Sequence, residues 1–280
     1  MQEAEARIIP GMSHPTVAIL GAGSMGEILA EGLLRAGWEA ENLTLVARRE
    51  ERAREAERRT AIKSGLDPAA ACEGRDVIVI AVKPKDVDFL LGQIGETVTL
   101  GQVVVSLAAG VPLQVFESVL TDVAVIRAMP NTPAAVDEGM TAYCGGIHAD
   151  ADAVALADMV LSAVGETIQL SEDLLDAVTA VSGTGPAYVF LLAEALTEAA
   201  IREGLPHHAA EKLVIQTLRG AGALLSVSDK SAFRLRAEVT SPGGTTAAAL
   251  HELEDGGFRS LMERAVQSAA QRSRELGEIA

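Results

Sequence analysis

In the first half of the chain, short runs of β-branched and aliphatic residues alternate with longer segments of mixed polarity. The runs are TVAIL (16 to 20), LTLVA (43 to 47), DVIVIAV (76 to 82), QVVVSLA (102 to 108) and VAVIRAM (123 to 129). Each is short for a helix and apolar at most positions, the pattern of a strand buried on both faces. The helix-length spacers predict βαβ units, and hence a parallel sheet with helices on both faces. Two later runs, TAYC (141 to 144) and TIQL (167 to 170), could extend the sheet at an edge. From Ser171 onward no further β-branched strand is evident, and the chain reads as helices broken by Gly and Pro. The expected organisation is an N-terminal extension (1 to 15) that is poorly ordered, an α/β domain (16 to 170) and an all-helical domain (171 to 280). Residues 187 to 203, AYVFLLAEALTEAAIRE, are apolar over so wide an arc that burial against another subunit is expected as much as burial within the chain.

Composition narrows the class. The chain is 49% hydrophobic with only 3% aromatic residues, so its core is built from Ala, Val, Leu and Ile. With 23 Lys plus Arg against 39 Asp plus Glu, the net charge is −16. That balance argues against nucleic acid and anionic membrane as partners, because both require a basic footprint. No apolar run reaches the roughly 18 residues of a spanning helix, and the acidic start MQEAEARIIPGMSHP is unlike a signal peptide. A cytoplasmic location is expected. Cys72 and Cys144 form no metal-binding spacing and read as buried reduced thiols, the histidines are scattered, and no metal is expected.

The first candidate chemistry directly follows the first apolar run. GAGSMG puts Gly21, Gly23 and Gly26 in the G-x-G-x-x-G register with a helix after it. Such a turn lets a pyrophosphate approach the backbone, and the helix N-terminus attracts its charge. The fold class is therefore α/β, an N-terminal Rossmann-type doubly wound parallel sheet. An NAD site usually ends the second strand with Asp or Glu; here the strand ends in Arg48 and Arg49. A guanidinium fork suits a 2′-phosphate, which favours NADPH and leaves NADH possible. The alternative is that both arginines belong to the solvated charge run RREERAREAERR. Three further apolar runs end in unusual sequence: AVKP (81 to 84), SLAAG (106 to 110) and MPNTPA (129 to 134). In an open parallel sheet these carboxyl ends border the ligand crevice. Ala108, Ala109 and Gly110 are small enough for a ribose and nicotinamide to approach, Lys83 could bond a ribose, and Asn131 could orient an amide or a loop.

The second candidate lies in the helical half. AEVTSPGGTTAAALHELE (237 to 254) reads as a Gly-Gly turn running into a helix whose first acid is Glu252. Acids are normally favoured in a first helical turn, and alanine at position N3 of any plausible start cannot complete a capping box. The chain thus supplies no counter-charge for that positive end. Upstream, in SGTGPAYVF, Gly183, Gly185 and Pro186 either kink a helix for close packing or bring Ser182 and Thr184 toward the nicotinamide side; the two readings are compatible.

GAGSMG, AVKP, AMPNTPA, AVSGTGPAYVF and VTSPGGTT, in this order and spacing, are similar to the Δ1-pyrroline-5-carboxylate reductases, from about residue 16 to the end. The resemblance implies reduction of the cyclic imine of 1-pyrroline-5-carboxylate to L-proline by NADPH or NADH, the last step of proline biosynthesis. It also implies that the helical domain interlocks in a homodimer, with dimers closing a ring such as a decamer. It places phosphate contacts on Ala22, Gly23, Ser24 and Met25, a second-strand contact on Arg48 or Arg49, and nicotinamide-side contacts on Val82, Lys83, Pro84 and Ala109. The substrate carboxylate falls on the backbone of Gly243, Gly244 and Thr245, in a loop that includes Ser241, with Thr246 as the catalytic hydroxyl near the ring nitrogen. An acidic position upstream corresponds approximately to Asp229.

The chemistry needs little else. Hydride adds to an imine carbon once the nitrogen is protonated, so a hydroxyl that holds the nitrogen and a fixed anion site suffice, and positioning carries most of the catalysis. Two rivals are weaker. A β-hydroxyacid-type NADP dehydrogenase is expected to use a lysine in its second domain, where only Lys212 and Lys230 occur; a non-catalytic NADPH-binding protein would predict decay of the SPGGTT loop, which is intact.

Overall fold

The computed structural model describes residues 14 to 279, with side chains to 277. The N-terminal extension lies outside the described residues except for His14 and Pro15. There the His14 ring stacks on Trp38 at 4.0 Å, and the Trp38 indole donates to the Pro15 carbonyl at 3.1 Å.

Eight strands form one sheet: β1 (Val17–Leu20), β2 (Leu43–Val46), β3 (Lys63–Gly65), β4 (Val77–Ile80), β5 (Val103–Ser106), β6 (Ala124–Met129), β7 (Gly139–Gly145) and β8 (Gly165–Gln169). Their order is β3-β2-β1-β4-β5-β6-β7-β8. All neighbours are parallel except β6 and β7, which pair antiparallel with Met129 opposite Ala142. The five long apolar runs supply the central strands, and the two later runs extend the sheet beyond β6. Only β3 had no counterpart in the hydrophobic pattern: Lys63, Ser64 and Gly65 pair with Thr44, Leu45 and Val46 through the backbone alone.

Period-two alternation builds two cores. Val17, Ile19, Val77 and Val79 face one side, with Leu29 and Leu33; Ala18, Leu20, Ile78 and Ile80 face the other, with Leu91 and Phe116. The covering helices of this half are α1 (Ser24–Arg35), α2 (Glu50–Thr60), α3 (Pro68–Cys72), α4 (Val87–Ile94), α5 (Leu113–Glu117), α6 (Ala151–Leu161) and α7 (Leu175–Val178). After α7 a π-helical turn, Thr179–Gly183, leads into the segment that holds Gly183, Gly185 and Pro186.

The remaining helices are α8 (Gly185–Arg202), α9 (His207–Val227), α10 (Ala232–Glu238), α11 (Thr245–Asp255) and α12 (Phe258–Ile279). The chain divides into two compact units, one running to Gly183 and including the segment from Ala269 onward, the other being Thr184–Ser268. Within the second unit α8 lies against α9 and has no buried residue, with Phe190 61% and Leu191 65% exposed. The expectation about apolar length needs amending. Within the helical stretch Glu172–Arg202 an 18-residue window reaches a mean hydropathy of 1.3, which makes this, by length and composition, the one described stretch that could cross a membrane. The same exposed apolar surface is what a subunit partner would cover.

Candidate active site

At the carboxyl ends of β1, β2 and β4 a cleft of about 770 Å³ is lined by residues that include Gly21, Ala22, Gly23, Arg48, Arg49, Val82 and Lys83. The turn after β1 is held by the sheet, because the N–H groups of Gly21 and Ala22 both donate to the Val46 carbonyl at 2.9 Å. That commits the Ala22 N–H and leaves Gly23, Ser24 and Met25 to present N–H groups at the start of α1. The three glycines have different reasons. Gly21 adopts φ +125°, and a Cβ there would stand 2.7 Å from the Ala81 carbonyl oxygen; a Cβ on Gly26 would stand 2.0 Å from the Gly21 carbonyl oxygen. Gly21 is imposed by its close approach to the chain just past β4, and Gly26 by the packing of α1 on the turn. Gly23 is exposed, has φ −95°, and a Cβ on it would meet nothing within 4 Å. No described residue requires glycine there, whereas a phosphate approaching the backbone does, so the cradle fits a dinucleotide.

Not every expected residue lines the cleft. Ser24, Met25 and Gly26 lie further along α1, Pro84 begins the short turn after β4, and Ala108 and Ala109 sit past the end of β5. The backbone around the two alanines is braced: Glu172 accepts from the Leu113 N–H at 2.8 Å and from Arg127 at 2.9 Å, and a Cβ on Gly277 of α12 would stand 2.5 Å from the Gly110 carbonyl oxygen. Asn131 also braces a loop, donating to Ser182 (Oγ, 3.2 Å) and accepting from the Met140 N–H at 2.9 Å.

Electrostatically, Arg48 reaches across to Asp86 at 3.1 Å and is 76% exposed, and Arg49 is the N-cap of α2. The sequence reading missed Arg52, which also lines the cleft. Its guanidinium donates to the Ala22 carbonyl at 3.2 Å, to Glu27 at 2.5 Å and to Glu55 at 2.6 Å. The available signal was spacing, since 49, 52, 56 and 59 fall on one face of a helix. Cysteine chemistry has no place at this site: burial pushes the Cys72 thiol up to about 12 and the Cys144 thiol up to about 11.

In the second unit, Ser241 to Gly244 form the turn into α11. Gly243 adopts φ +69°, and the Gly244 N–H closes the turn on the Ser241 carbonyl at 3.1 Å. Gly244 is the N-cap and offers no capping side chain, the first turn carries no acid, and N3 is Ala247. Thr245 is exposed and Thr246 half-buried at this helix end. Asp229 is exposed in the connection between α9 and α10.

Comparison with known proteins agrees with both halves. Residues 172–276 match the family described as pyrroline-5-carboxylate reductase dimerisation, and residues 16–110 match NADP oxidoreductase, coenzyme F420-dependent. The pyrroline-5-carboxylate reductase of Corynebacterium melassecola is 40% identical over 267 residues, spanning 94% of this chain and 99% of its own. Among solved structures, a pyrroline-5-carboxylate reductase from Coxiella burnetii matches with TM-score 0.89 at 34% identity, covering 94% of this chain and 98% of its own. Plasmodium falciparum pyrroline carboxylate reductase with NADP bound matches with TM-score 0.86 at 29% identity, covering 95% of this chain and 100% of its own.

Proposed function

The chain belongs to the pyrroline-5-carboxylate reductase family, and from that premise we infer that it reduces L-1-pyrroline-5-carboxylate to L-proline, the final step of proline biosynthesis. The cofactor is NADPH, with NADH possible, and when bound it supplies the hydride that the imine carbon accepts. The observation that carries the substrate reading is the start of α11, glycine-capped and free of acids in a chain of charge −16. There the backbone N–H groups around Gly243 and Thr245 anchor the substrate carboxylate, in the loop that begins at Ser241. The Gly244 N–H, which closes the turn, shapes the loop more than it binds.

Thr246 holds the ring nitrogen by a hydrogen bond through its hydroxyl. The iminium form arrives protonated, so after hydride addition to carbon that proton stays on the nitrogen of proline and the site needs no strong acid. Positioning then accounts for most of the rate. In the first unit, Gly23, Ser24 and Met25 receive the phosphates, Arg48 and Arg49 favour a 2′-phosphate, and Val82, Lys83, Pro84, Ala108 and Ala109 serve the nicotinamide side. Asp229 belongs to the substrate side only by resemblance. The exposed apolar face of α8 supports homodimerisation, and dimers close into a ring such as a decamer in the cytoplasm.

Loss of NADPH absorbance with 1-pyrroline-5-carboxylate as substrate tests the assignment, with a set of 2-hydroxy- and 3-hydroxyacids assayed in the oxidative direction. Rapid turnover of the imine and none of the hydroxyacids is expected; no turnover of the imine refutes it.

A further inference from the structure

Helix α1, whose N-terminus faces the dinucleotide cleft, carries an acid in its first turn, Glu27. Its side chain is 9% exposed. A carboxylate there favours the empty helix but opposes an incoming pyrophosphate. Two cations from α2 answer it: Arg52 on one carboxylate oxygen at 2.5 Å and Arg59 on the other at 2.9 Å. Arg52 also donates to the Ala22 carbonyl at 3.2 Å, inside the glycine-rich turn. Among the three arginines lining the cleft, it is the one tied to both that turn and α1.

We propose that Arg52 is a positioning residue for the dinucleotide: it cancels Glu27 and holds the glycine-rich turn, so that the N-terminus of α1 can accept a pyrophosphate. This rests on the cofactor reading given above. The role differs from that of Arg48 and Arg49. A residue that prepares the pyrophosphate cradle serves NADPH and NADH alike, whereas a residue that reads the 2′-phosphate serves NADPH only. Removing Arg52 also leaves a nearly buried carboxylate with one of its two cations, which raises the cost of bringing phosphate near it.

Titration of the purified chain with NADPH and with NADH, followed by nicotinamide fluorescence and by calorimetry, reads binding without turnover. Arg52→Ala is expected to weaken both cofactors about tenfold, about 1.4 kcal/mol, with the NADPH/NADH ratio unchanged. Arg48→Ala with Arg49→Ala should change mainly that ratio. In the double variant Arg52→Ala, Glu27→Gln, most of the lost affinity should return, and Glu27→Gln alone should bind at least as tightly as the parent. Loss confined to NADPH in Arg52→Ala would make Arg52 a 2′-phosphate reader and overturn the proposal, as would absence of recovery in the double variant. Should Arg52→Ala fail to fold, as read by circular dichroism, Glu27→Gln alone decides, because weaker binding of both cofactors by it contradicts the claim that Glu27 opposes phosphate. If the parent chain binds dinucleotide but does not reduce the imine, the proposed reaction fails and the role of Arg52 stands.

Discussion

Two helix N-termini in this molecule look alike in backbone and differ in charge. Both α1 and α11 start from a glycine N-cap in extended conformation, with no side chain closing the first N–H groups. An N-terminus left this way has unpartnered donors and a partial positive charge. In α1 the first turn contains Glu27, and α2 contributes Arg52 and Arg59 to neutralise it. In α11 the first turn contains no acid and needs no such correction. A helix end can thus be kept available for an anion by omitting acids or by pairing the one present. The first route costs helix stability; the second couples the site to a neighbouring helix.

The largest break in this comparison is expected at Thr246. In the proposed site its hydroxyl accepts from the protonated ring nitrogen and does not address the carboxylate, so Thr246→Ala should lower kcat about a hundredfold, the scale seen when one preorganised hydrogen-bonding group at the reacting centre is removed. NADPH affinity, measured by fluorescence titration, should not change. Equal loss of both would show that the loop is structural. Next in size is Ala248→Glu, which gives α11 the kind of acid that α1 carries without giving it an arginine. Ala248 is exposed, so packing is undisturbed. Substrate KM should rise about fivefold, corresponding to about 1 kcal/mol of charge at a helix end, while the thermal midpoint holds or rises slightly. An unchanged KM would remove the substrate carboxylate from this helix end.

The five central strands were legible because short β-branched runs, apolar on both faces, fit the buried centre of a parallel sheet covered by helices. β3 was not, because Lys63, Ser64 and Gly65 are ordered by backbone pairing to β2 and carry no apolar signal. The antiparallel direction of β7 was also unread, although residues 130 to 138 are too short a connection for a parallel crossover, which takes a dozen residues or more. Motif reading found Gly21, Gly23, Arg48 and Lys83 in the cleft, since a turn at a strand's carboxyl end fixes where its residues go. It missed Arg52 because the residue sits in a charge run whose ordinary fate is solvation, and only the fold turns one face of that run onto Glu27. The SPGGTT loop is proposed as a site on its glycines and its lack of acids, both local features; partners contributed from distant helices leave no such local trace.

The smallest expected effect concerns the other end of α11. Its acids gather in the last turns, where negative charge opposes the helix dipole. Glu254 is partnered there by Arg259 at 2.8 Å and Arg236 at 3.2 Å. The hydrogen bond from Arg259 holds its carboxyl below the usual carboxylate range, with Arg236 adding to the effect. A carboxyl depressed in the folded state contributes stability that is present above its unfolded pKa and is lost as pH falls through the folded value. Glu254→Gln should therefore lower the thermal midpoint slightly near neutral pH, and the difference from the parent should vanish in acid, well below about pH 4. The pair is solvent-exposed, so the shift is small. NADPH and substrate KM should be unchanged, because the charge lies at the end of α11 opposite the proposed anion site. A change in substrate KM as large as that of Ala248→Glu would mean that the whole charge of α11, and not its bare N-terminus, governs binding.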